Sequence, residues 1–302
     1  MNKKQPLRSA IPAFALLSII WGYNWVVMKE CLRYATALNF AALRTLIGAV
    51  SLFILMIFMR KPLRPKEMGT TVILGLLNTT ACIGLVTWAL STGAVGKTAI
   101  IVYFMPFWVL ILAWPILGER IHGLQWPAVL LAFLGLIVIL EPWRLESSFL
   151  GKTLSVLSGM AWAASAIYTK MVYKKARFDL VSLTAWQMLL GSIPLVAIAL
   201  LVPSKPTEWT TYFIAGTLYS AVISQAVALL LWFYVLHRLP AGVASMGTLA
   251  TPVIGIVSAS IELGERPTWF EGLGMFMILM GLTLLSLYGI SIYRRIMPIK
   301  SD

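Results

Sequence analysis

The chain has 302 residues, of which 60% are apolar and only 12% are Asp, Glu, Lys or Arg. Soluble domains carry about a quarter charged residues, so this composition excludes a water-soluble globular domain of this size. Two cysteines exclude a disulfide scaffold, and the net charge of +13 suggests nucleic acid only until the charges are placed.

A membrane-crossing helix needs about 20 predominantly apolar residues. The first uncharged run covers 9–28. Lys3, Lys4 and Arg8 ahead of it imitate a signal peptide, but the run is long and has no small-residue cleavage site before Lys29. It reads as a retained helix carrying Trp21, Asn24 and Trp25. The second span, 34–59, is broken only by Arg44. With a helix start near residue 36, Arg44 lies roughly 12 Å deep at about 1.5 Å per residue. A charge at that depth either faces a cavity, in a binding or gating role, or snorkels to the outer headgroups.

The third run, 68–96, places Asn78 and Cys82 on one helical face; the fourth, 98–118, has Tyr103 three residues ahead of Pro106 and ends in Gly118-Glu119-Arg120. The fifth covers 121–140. A shorter clean run at 153–169 forms the sixth, with Trp162 as deep as Trp21 and Ser165 on the same face. The seventh, 180–204, contains Gln187, and the eighth, 209–237, holds Ser224 and Gln225 near its middle. The ninth, 239–261, contains Pro252 and is followed by Gly264-Glu265-Arg266; the tenth covers 272–293. Pro106 and Pro252 each remove a backbone hydrogen bond and are candidate hinges. Gly135, Gly272, Gly274 and Gly281 are expected to permit close helix packing.

Ten such spans make an all-α integral membrane protein with little chain left over. With a cytoplasmic amino terminus, 16 Lys and Arg fall on the cytoplasmic side and 7 on the other, Arg44 being the remaining one of 24. That is the positive-inside bias, and it puts both termini in the cytoplasm. The basic residues are therefore topology signals and contacts for anionic lipid, and no nucleic-acid partner is expected. Cys31, at the outer end of the first span, is expected to be open to labelling from that side.

Gly118-Glu119-Arg120 recurs as Gly264-Glu265-Arg266 at an offset of 146, with Pro106 matching Pro252 and Gly135 matching Gly281. Earlier in each half the offset slips, so that Trp21 faces Trp162 and Arg44 faces Gln187. The chain divides into repeats at 1–145 and 146–302. Five spans per repeat turn the second copy upside down relative to the first, an arrangement typical of secondary transporters with a central cavity.

Trp21-Gly22-Tyr23-Asn24-Trp25 with Lys29 and Arg44 resembles the first-repeat signature of the EamA branch of the drug/metabolite transporter superfamily. Thr251-Pro252-Val253 through Leu263-Gly264-Glu265 to Gly281 resembles its other signature, and Gln187 followed by Gly191 fits its seventh helix. The resemblance covers roughly residues 10–290. It implies ten helices in two inverted repeats, alternating access, and export of amino acids or other small metabolites, aromatic amino acids among them.

All eleven acids and both histidines fall in loops or at helix ends, whereas proton relays use such groups inside the membrane. No cluster of His, Cys or carboxylates has metal-ligand spacing, so no metal or cofactor is expected. Trp21, Trp162 and Tyr103 read either as stacking walls for a flat substrate or as packing. Asn24, Asn78, Ser165, Ser224 and Gln225 read either as substrate contacts or as bonds between helices. With Cys82 they form the candidate substrate site; Arg44, Pro106, Gln187 and Pro252 form the candidate gate and hinges. The expected function is export of small metabolites, amino acids foremost, by an inner-membrane protein that is a monomer or weak dimer. Efflux of lipophilic drugs or organic cations is the alternative, and a membrane-embedded lipid enzyme is remote, because no nucleophile–base pair is found.

Overall fold

The computed structural model describes residues 5–61, 63–65, 67–118, 123–140, 149–175, 179–238 and 250–296. These form ten helical stretches and no strand. They are α1 (Gln5–Cys31), α2 (Ala37–Phe58), α3 (Met68–Thr92), α4 (Val95–Leu117), α5 (Gln125–Leu140), α6 (Phe149–Lys175), α7 (Leu180–Leu201), α8 (Thr211–His237), α9 (Ala250–Glu262) and α10 (Trp269–Ile296). Helix is what lipid demands, since it satisfies every backbone group within the segment. Of the ten spans expected, α2, α3, α4, α7 and α8 are individually long and apolar enough to cross a membrane. Gln125–Val138, Thr251–Glu262 and Gly272–Leu284 are apolar but shorter among the described residues. Phe58, Leu200, Leu201 and Ile261 are all more than three-quarters exposed, as lipid-facing residues are and a soluble core is not.

The starts of the helices are chemically marked. Thr36, Asp179 and Thr210 accept backbone N–H groups three residues on and cap α2, α7 and α8. Gly118 and Gly264 adopt φ of 73° and 66° and stop α4 and α9 in the left-handed region that glycine enters without a Cβ clash. Both Gly-Glu-Arg copies thus begin with the same helix stop. In the second copy the Glu265 carboxylate accepts from Val95 N (2.8 Å) and Gly96 N (3.0 Å), capping α4. Glu119 and Arg120 of the first copy lie outside the described residues. Asp179 also takes a 2.6 Å bond from Lys61. Burial alone would raise its carboxyl, but the Lys61 ammonium and the Ser182 N–H outweigh that and hold it below the usual carboxylate value.

Packing follows the sequence repeat. The pair α1–α9 answers to α6–α4, α1–α8 to α6–α3, and α2–α8 to α7–α3, while α2 packs on α7 and α5 on α10. At the α5–α10 crossing a Cβ on Gly135 would stand 2.8 Å from the Gly274 carbonyl, and one on Gly281 would stand 2.8 Å from the Ala128 carbonyl. These contacts are mates at the offset of 146, and only glycine lets the backbones approach so closely. Among the described residues a Cβ on Gly272 would meet nothing, where a packing role was expected.

Two helices are irregular in the same place. In α3 the stretch Gly75–Ile83 and in α8 the stretch Tyr219–Val227 are π-helical, nine residues each and starting 144 apart. Such insertions widen a helix and are frequent at functional sites. Helix α4 is broken at Tyr103–Phe104, where Phe104 N bonds to Ile101 O (3.2 Å) and Pro106 enters the first turn of the new segment. Pro106 leaves the Val102 carbonyl without its helical donor, and Gly159 of α6 lies against that carbonyl.

Candidate functional site

The irregular parts of α3, α4 and α8 surround a cavity between the two halves of the chain. Helix α1 supplies Trp21, Asn24, Trp25 and Met28, one face at helical spacing. Asn78, Cys82, Ile83 and Val86 come from α3, mostly from its π-helical stretch. The break in α4 turns Val102, Tyr103 and Met105 inward; Trp162 comes from α6, and Ser224, Gln225 and Leu229 from α8. Arg44 of α2 completes the lining and is the only charged side chain among the described residues that form it.

Hydrogen bonds tie the walls together. Ser220 Oγ donates to Asn24 Oδ1 (2.6 Å), joining α8 to α1, and Asn78 Nδ2 donates to Ser165 Oγ (3.0 Å), joining α3 to α6. These two bonds are repeat mates with the residue types exchanged: Asn24 corresponds to Ser165 at an offset of 141, and Asn78 to Ser220 at 142. Asn24 and Asn78 are therefore both interhelical bonds and cavity lining. Trp21 Nε1 donates to the Ser224 carbonyl within the π-helical stretch (3.0 Å). Ser158 Oγ donates to the Cys82 carbonyl (2.9 Å). The two wall tryptophans lean on a third, Trp232, with ring centroids at 4.6 Å from Trp162 and 6.2 Å from Trp21. Trp25 in turn packs on Tyr103 at 6.2 Å.

Arg44 does not snorkel. It is 2% exposed, its guanidinium carbon stands 5.6 Å from the centre of the Phe40 ring, and neither Nε nor Nη1 has a hydrogen-bond partner among the described residues. A buried guanidinium with unused donors is costly unless a ligand or water completes it. Of the other residues singled out from sequence, Ser165 stands behind Asn78, Pro106 sits in the α4 break, and Pro252 is buried in α9; none lines the cavity. Gln187 is fully buried outside it, and neither amide atom has a partner among the described residues. Cys31, expected to be open to labelling, is instead fully buried beside Gly216 of α8. No group of three or more potential metal ligands occurs among the described residues.

Sequence reasoning passed over Trp25 as a lining residue, although its i, i+4 relation to Trp21 was the available signal. It also missed Trp232, which nothing in the apolar eighth span distinguishes. Lys29, read as a topology charge, donates to the Leu90 (3.0 Å) and Gly93 (2.7 Å) carbonyls and caps the end of α3.

Comparison with known proteins decides the class. The EamA-like transporter family matches twice, over residues 8–141 and 149–287. The chain belongs to that family. It is a multi-pass membrane transporter of small molecules and not an enzyme. The chain is 30% identical over 287 residues to the uncharacterized transporter YvbV of Bacillus subtilis, covering 94% of this chain and 93% of that one. It is 28% identical over 280 residues to a probable amino-acid metabolite efflux pump of Escherichia coli, covering 88% and 91%. A solved crystal structure shares the fold with a TM-score of 0.72 at 13% identity, over 93% of this EamA chain and 98% of the other.

Proposed function

We propose that this EamA protein is a secondary transporter of the bacterial inner membrane that exports small metabolites, amino acids foremost and aromatic ones among them, by alternating access. One observation carries the reading: a cavity between the repeats has indole walls, neutral amides and hydroxyls, and a single cation, Arg44. That donor set suits a flat or apolar body ending in a carboxylate. The name of the Escherichia coli relative points to the same cargo. Organic cations fit less well, because no carboxylate lines the cavity among the described residues and Arg44 would repel them.

The transport cycle rests on ten spans arranged as two inverted five-helix repeats, 1–145 and 146–302, with both termini cytoplasmic. Support comes from the paired helix contacts, the twin π-helical stretches and the two family matches. The count of 16 basic residues against 7 supports the orientation.

Uptake by purified protein in liposomes, screened over the amino acids and several quaternary ammonium compounds, tests the cargo. Saturable amino-acid transport supports the proposal, and transport of the quaternary compounds alone refutes it. A Leu63→Cys variant labelled only from the periplasmic side would overturn the orientation.

A further inference from the structure

Arg44 and Gln187 occupy equivalent places with unequal chemistry. Helices α2 and α7 match at a constant offset of 143: the caps Thr36 and Asp179, then Arg44 and Gln187, then Gly48 and Gly191. A Cβ on Gly48 would press on the Ala221 carbonyl in the π-helical stretch of α8. One on Gly191 would press on the Gly75 carbonyl at the start of the π-helical stretch of α3. Each helix therefore docks on the opposite repeat's irregular helix, with its polar residue one turn before the contact. Both polar side chains are at least 98% buried, and both have polar atoms without partners among the described residues. Arg44 lines the cavity, whereas Gln187 lies outside it.

We infer that Arg44 and Gln187 are alternative seats for one substrate carboxylate, a charged seat on one side of the transport cycle and a neutral seat on the other. The inference rests on the inverted-repeat, metabolite-export reading above. When two inverted repeats exchange conformations, positions lining the cavity in one state are replaced by their mates in the other. Asn24 then gives way to Ser165, and Arg44 to Gln187, while Trp162 already faces the cavity beside Trp21. A guanidinium offers a permanent charge and a planar fork to a carboxylate; an amide offers two N–H donors on a single nitrogen and no charge. The acid is held tightly while Arg44 faces the cavity and loosely once Gln187 replaces it. This asymmetry favours release at one face. Gln187 has no partner in the present state because its partner is the substrate in the other.

The test compares phenylalanine and leucine with their amides, using protein reconstituted in a known orientation. Wild-type protein should bind the acids about 10–100-fold more tightly than the amides, the range for a hydrogen bond to a charged group. The half-saturating concentration of the acid should differ between the two membrane faces. R44Q should erase both the acid preference and the asymmetry, and R44K should retain part of the preference. R44Q removes an unpaired buried charge, so loss of folding is not expected, and a melting curve checks this. The double variant R44Q/Q187R should restore the preference with the tighter face reversed. Equal binding of acids and amides by wild-type protein overturns the inference and leaves the transport reading standing. So does an acid preference that survives R44Q, or tight binding that stays on the original face in the double variant. Failure to bind either acids or amides refutes the amino-acid reading and the inference with it.

Discussion

Trp232 supports the cavity from behind, and its removal has a calculable cost. It is 1% exposed and wedged between Trp162 and Trp21 without lining the cavity itself. In water the loss would be dominated by transfer of apolar surface. In a bilayer that contribution vanishes, because lipid tails are as apolar as the protein interior. The void and the lost ring contacts remain. A void on the order of 100 Å³ at about 24 cal/mol per Å³ costs about 2–3 kcal/mol. Two ring pairs at about 0.5–1.5 kcal/mol each bring the total for Trp232→Ala to about 3–6 kcal/mol. At roughly 2 °C per kcal/mol this lowers the melting temperature by on the order of 10 °C. The two free cysteines are both buried, so a thiol-reactive fluorogenic dye reports unfolding directly. Trp232→Phe, which keeps a ring in place, should lose less than half as much. Substrate affinity should fall in Trp232→Ala although the residue touches no substrate, because both wall tryptophans lose their backing. A melting temperature within about 2 °C of wild type would refute the reasoning.

Trp21→Ala and Trp162→Ala should each weaken binding of an aromatic substrate by about 1–2 kcal/mol, a factor of about 5–30 by calorimetry; unchanged affinity in both would reduce them to packing residues. Gly135→Ala and Gly281→Ala should destabilise by similar amounts, about 1–3 kcal/mol each in thermal melts, because the two contacts are mates; a loss at one position alone would break the equivalence. The Asp179 carboxyl is held below its ordinary value, so the stability it adds is present above pH ~4 and disappears as pH falls through its lowered folded value. The stability gap between wild type and Asp179→Asn should thus be constant from pH 6 to 8 and close below about pH 4; a gap that widens on acidification would contradict the Lys61 contact.

Some of this protein was legible in its residues. Uncharged runs of membrane length specify helices, because lipid leaves the backbone no other way to satisfy itself. The offset of 146 between the Gly-Glu-Arg copies announced matching helix stops, which appear at Gly118 and Gly264 with positive φ. Arg44 stood out because a charge that deep must meet something, and Trp21 and Trp162 stood out because tryptophan normally stays at the interface. Tertiary structure alone decided the rest, because hydrophobic periodicity reveals a helix's inner face only when its outer face meets water. Here the outer face meets lipid, so both faces are apolar and the direction of each side chain is hidden. For that reason Cys31 looked open and is buried, the candidate gate residue Gln187 lies outside the cavity, and Trp232 passed unnoticed. The π-helical stretches left no mark in composition either. They appear where α3 and α8 pack against α7 and α2. The cavity lies where those turns, and the break at Tyr103, interrupt otherwise regular helices.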